Sequence, residues 1–111
     1  MKIEELLAKS KGSQLQFQEV LDHIAEQYTY TPASFQNGNL KNSATENQGS
    51  AKVLYFARLN NLSETDTLGL FAEHYQNVLD NPIGDGHQNI RQFMANGWDS
   101  VAFEGDVLAS K

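Results

Sequence analysis

Phe17-Gln18-Glu19-Val20-Leu21-Asp22-His23-Ile24-Ala25-Glu26-Gln27-Tyr28 is the stretch on which the fold class turns. Phe17, Val20, Leu21, Ile24 and Tyr28 follow the i, i+3, i+4, i+7, i+11 spacing of a buried helical stripe. Glu19, Asp22 and Glu26 fall largely away from it. A helix with one apolar face needs partners, and both flanks supply them. Upstream, a helix from about Lys2 to Lys11 carries Ile3, Leu6 and Leu7 on one face and ends at Gly12. Downstream, the helix stops near Tyr28, because Thr31 precedes Pro32 and is biased to extended geometry.

Residues 29–50 contain Gly38, Gly49 and the asparagines 37, 39, 42 and 47, types that favour turns and left-handed backbone. Phe35 and Leu40 pin this segment, and Asn37-Gly38 suits a short hairpin. It is too long for a simple connector, and long ordered loops often carry function. The run Val53-Leu54-Tyr55-Phe56-Ala57 fits a buried helix or a buried strand. Ser50 as a cap, Asn60-Asn61 as a stop, and the length favour helix.

Ser63 then opens one helix whose stripe is Leu68, Phe71, Ala72, Tyr75, Val78 and Leu79, ended by Asn81-Pro82. Asp85 and Gln88 have the spacing of a capping box, ahead of Ile90, Phe93 and Met94, with Gly97 as the stop. Val101 and Phe103 alternate with Ala102 and Glu104 as one short strand. The expectation is a single α+β domain over residues 1–111, with about five helices and a minor sheet from the Phe35 region and residues 101–103.

Composition narrows the function. For 12.4 kDa, surface scaling gives roughly 6,100 Å² exposed when folded against about 18,000 Å² unfolded, enough burial for a core without staples. Eight Lys plus Arg against fourteen Asp plus Glu give a formal charge of −6, and no stretch clusters its cations. Nucleic acid and anionic membranes are therefore not expected partners. The chain has no cysteine, which removes disulfides, thiolate nucleophiles and Cys-ligated zinc. No run resembles a secretory signal or approaches eighteen apolar residues, so cytoplasmic residence is expected.

An ordered set of short segments carries a family resemblance. These are Tyr30-Thr31-Pro32, Phe35, Asn37-Gly38, Asn47, Gly49-Ser50 and Lys52. Leu62-Ser63, Phe71, Glu73-His74-Tyr75, His87, Asn89-Ile90-Arg91, Phe93-Met94, Gly97-Trp98 and Phe103 follow. Spanning roughly Phe17 to Gly105, the set resembles the HopJ type III effector family, named from a protein that plant-pathogenic bacteria deliver into host cells. The resemblance implies a bacterial family without an established catalytic mechanism, and export through a type III secretion system. Two departures stand out. The family often has Cys where this chain has Ala51, which removes thiol chemistry there. Type III export signals are usually polar, Ser-rich and flexible, whereas Met1 to Lys11 reads as a charged amphipathic helix.

The candidate chemistry is sparse. His74 beside Glu73 has the makings of a general acid–base pair, imidazole titrating near neutrality. The plainer reading is a solvated helix face with Tyr75 buried. Asp66, Glu73 and Asp80 recur every seventh residue, each gap about 10 Å along a helix, as an exposed acidic stripe. His87, Asn89 and Arg91 start the last long helix, where spare amides and a guanidinium suit a carboxylate or phosphate, or where they simply cap. Gly84-Asp85-Gly86 lacks the spacing and Lys of a phosphate loop. His23, His74 and His87 show no i, i+4 pair, so neither metal nor cofactor is expected.

Asn37, Asn47, Ser50 and Lys52 either tie down the long loop or form a polar pocket against the Glu73-His74 helix. The binding candidates are Tyr30, Asn37, Asn47, Ser50, Lys52, His74, Tyr75, His87, Asn89 and Arg91, with His74 and Glu73 as the catalytic pair should the protein be an enzyme. The leading expectation is a non-enzymatic HopJ-like binding module for an unidentified protein or small molecule. A small acid–base enzyme is the alternative.

Overall fold

The structure is a computed structural model that describes residues 2–111; the Met1 end of the N-terminal amphipathic segment lies outside them. Among the described residues there are six α-helices: α1 (Ile3–Lys11), α2 (Phe17–Gln27), α3 (Gln48–Leu59), α4 (Glu64–Gly69), α5 (Glu73–Asp80) and α6 (Gln88–Asn96). A 3-10 turn, Gly97–Ser100, follows α6. The strands are β1 (Tyr28–Tyr30), β2 (Phe35–Asn37), β3 (Leu40–Asn42), β4 (Val101–Phe103) and β5 (Leu108–Ser110). The accessible surface of 6252 Å² fits the size scaling of a fully folded chain. Among the described residues, no helix is long and apolar enough to cross a membrane.

The α2 stripe is where the spacing puts it. Val20 and Ile24 are buried, Phe17, Leu21 and Tyr28 pack against the core, and Gln16 with Glu19 closes a capping box. Glu19 also pairs with Lys9, which pulls its pKa below the usual carboxylate value and ties α2 to α1. The run at 51–59 is helix, since Ala51, Val53, Leu54, Phe56 and Ala57 are buried on several sides of α3. Its start departs from expectation. Asn47, held left-handed at φ 52°, is the N-cap, and Ser50 lies inside the first turn.

The hairpin forms, with Asn37 opposite Leu40 and Gly38 at φ 60° in the two-residue turn. Strand β2 also pairs antiparallel with β4, so the sheet order is β3-β2-β4. A second antiparallel pair, β1 with β5, has no counterpart in the sequence reading. The short Leu108-Ala109-Ser110 segment carries too little pattern to announce a strand.

Three further expectations are corrected. The single helix after Ser63 is two, broken at Leu70–Ala72, where Ala72 takes φ 54° and ψ −123°. On a straight helix, neighbouring side chains diverge by about 100°. The break lets consecutive Leu70 and Phe71 both enter the core while Gly69 sits flush on Ser10. Leu79 and Met94, assigned to buried stripes, are 46% and 44% exposed. Asp85 and Gln88 form no capping box. Helix α6 starts at Gln88 with His87 as N-cap, and Gln88 Nε2 donates instead to the Asp85 carbonyl.

Candidate binding cleft

Helices α3 and α6 begin next to each other, and the β2–β3 hairpin fills the angle between them. Asn89 of α6 and Asn42 of β3 are buried there with Asn37, which is fully enclosed. Their amides interlock. Asn37 Nδ2 donates to the Asn89 carbonyl at 2.7 Å and to its Oδ1 at 3.1 Å. Asn42 Nδ2 donates to the same Oδ1 at 3.2 Å, and Asn89 Nδ2 returns a bond to Asn42 Oδ1 at 3.1 Å. Asn47 Nδ2 completes the chain on Asn42 Oδ1 at 2.7 Å. Buried amides are costly unless paired, so this arrangement fixes each one's orientation and locks the starts of both helices to the hairpin. Asn37 Oδ1 is buried without a hydrogen-bond partner among the described residues.

Above the network lies a cleft of about 470 Å³. Asn47, Gly49 and Ser50 from α3 form one rim and His87, Gln88 and Asn89 from α6 the other. His74, at the start of α5, closes the end, while Phe17, Leu40, Phe71 and Ile90 supply apolar wall. Phe17 holds His74 edge-on at 4.7 Å between ring centroids and stacks on Phe71 at 6.0 Å. The His74 and His87 rings lie 4.9 Å apart, tilted by 35°.

His87 as a whole is exposed, but its ring is partly desolvated where it covers His74. That desolvation first, then the positive charges of His74 and Arg91, pulls its pKa below the usual imidazole value. Like Asn47, it is a left-handed N-cap, at φ 55°, and neither residue's side chain closes the amides of its own helix.

The structure thus brings Asn47, Ser50, His74, His87 and Asn89 to one cleft, with Asn37 directly behind it. The other candidates lie elsewhere. The Tyr30 hydroxyl donates to Gln48 Oε1 at 2.7 Å, and Lys52 Nζ stands 4.3 Å over the Tyr30 ring, in a structural cluster beside β1. Burial there raises the Tyr30 pKa. Glu73 and Tyr75 open on a different depression, next to Leu15 and Leu79. The Glu73 carboxylate accepts the Phe17 N–H at 2.6 Å, at the start of α2.

Arg91 is committed as well. It donates to the carbonyls of Gly86 at 2.6 Å, Pro82 at 3.2 Å and Asn81 at 2.9 Å, pinning the loop before α6. No cluster of three or more His, Cys, Asp or Glu suited to a metal ion occurs among the described residues. Sequence reasoning missed Asn42 as a network member and Phe17 and Leu40 as walls. Each looked like an ordinary turn or core residue, which it also is.

The sequence matches the model of the HopJ type III effector protein family over residues 3–108. A search of curated proteins finds no match. The fold is similar to the crystal structure of the unknown-function protein VPA0580, with a TM-score of 0.91 and 38% sequence identity. That similarity covers 100% of this chain and 95% of the other.

Proposed function

The chain belongs to the HopJ type III effector family, and we propose that it serves there as a non-enzymatic binding module whose ligand site is the His74–His87 cleft. The observation that carries this reading is convergence. Polar groups from α3, α5 and α6 meet over apolar walls in one concave space, the usual make-up of a small-molecule site. A carboxylate orienting His74 would support acid–base chemistry, and the nearest in sequence, Glu73, has one oxygen engaged by the Phe17 amide. That favours binding over catalysis.

The test is a panel of small aromatic acids, amides and alcohols added to the ¹⁵N-labelled protein. Shift changes should concentrate at the backbone amides of Gly49, Ser50, Gln88 and Asn89. A panel that moves none of them, or moves only amides remote from the cleft, would sink the proposal.

A further inference from the structure

We propose that the ligand of this cleft carries an acid group, a carboxylate or a phosphate, on a small apolar body, and that the acid group seats against the His74–His87 pair. The inference rests on the binding reading above and adds the chemistry of what is bound. Its basis is the pair itself. Two imidazoles stand 4.9 Å apart, and neither has a hydrogen bond or ion pair to a carboxylate among the described residues. Where the two stand, positive charge on the His74 ring disfavours a proton on His87.

The surrounding groups do not relieve this. From α6, Arg91 adds positive charge. On α5, Glu73 faces the Phe17 amide. Lys52 of α3 lies over Tyr30, and the Asp85 carbonyl, not its carboxylate, is what Gln88 engages. Helix α2 and the hairpin bring Phe17 and Leu40 to the cleft, neither charged. An anion seated here would reverse the balance, since each proton gained by the pair would then add attraction.

A separate feature aims the same way. The first turns of α3 and α6, of twelve and nine residues, both line the cleft, and neither is closed by its N-cap side chain. Two positive dipole ends therefore flank the imidazoles. Phe17, Leu40 and Ile90 leave room for an apolar body beside the acid group, which makes a bare inorganic anion a poor fit.

Benzoate and its neutral isostere benzamide separate the possibilities. Benzoate, a carboxylate of ordinary pKa near 4, stays ionised across the range that matters. Titrated by NMR at about pH 5.5 and about pH 7.5, it should bind roughly ten-fold more tightly at the lower pH, with linked proton uptake. Benzamide should bind more weakly and show no such dependence.

His87→Asn, which keeps a residue tolerant of the left-handed backbone, and His74→Gln should each weaken benzoate about ten-fold and flatten its pH profile. Phenyl phosphate would show whether a phosphate is accepted in place of the carboxylate. Equal binding of benzoate and benzamide at both pH values overturns the acid-group inference but leaves the cleft as a binding site. Absence of binding by either compound overturns both.

Discussion

Asn89 is the residue on which the site and the fold most directly depend. Its side chain accepts from Asn37 and Asn42 and donates to Asn42, and its carbonyl accepts from Asn37 as well. Replacing it with Ala removes the three hydrogen bonds of its side chain from a buried network, where a buried polar group short of its partners costs about 1–3 kcal/mol. We expect Asn89→Ala and Asn42→Ala each to lower the unfolding free energy by about that amount in urea titrations. Because the two amides exchange bonds directly, the double variant should be non-additive by more than about 0.5 kcal/mol. Additivity would show that the network does not hold the hairpin to α6. The sequence marked Asn37, Asn42 and Asn47 as turn formers and Asn89 as a helix-start residue. That these amides meet is a long-range fact, since Asn42 and Asn89 are 47 positions apart, and no local pattern encodes it.

Elements with strong periodicity were legible, and those decided by the backbone were not. The α2 stripe, the buried α3 run and the Ser63 cap, whose Oγ accepts the Asp66 N–H at 3.1 Å, all follow from residue types and spacing. The split between α4 and α5 does not. Leu68, Phe71, Tyr75 and Val78 keep a helical rhythm across the break, so the periodicity hides it. The break is written in Ala72, whose φ of 54° with ψ of −123° is a region open chiefly to glycine. Ala is strained there, and Gly would remove the strain at a modest cost in unfolded-state entropy. Ala72→Gly should therefore raise stability by about 1 kcal/mol, seen as a higher urea midpoint with an unchanged slope. A loss of stability would mean that the Ala72 methyl group contributes more to packing than the backbone strain costs.

At the scale of the whole molecule, the binding cleft and the hydrophobic core share a wall. Phe71 is 1% exposed, belongs to the core cluster, and also lines the cleft, where it stacks on Phe17. The sequence identified Phe71 as core from its place in the apolar stripe and His74 as a polar neighbour three positions on. It gave no sign that the same ring backs the site. That depends on the α4–α5 break and on the packing of α2, which carries Phe17. Removing the ring should act on both levels. Phe71→Ala should cost about 3–5 kcal/mol, the usual price of an excised buried aromatic, measured by urea unfolding. Phe17 would lose its stacking partner, and the edge-on seat it gives His74 would loosen, so the His74 ring should report the change in NMR even at low urea. Phe17→Leu separates the two effects. It keeps an apolar contact with Phe71 but removes the ring edge from His74, and should cost less than Phe71→Ala while still shifting the His74 resonances. A destabilisation by Phe71→Ala of well under about 1 kcal/mol would mean that the ring is not part of the cooperative core. The cleft would then be held by the asparagine network alone.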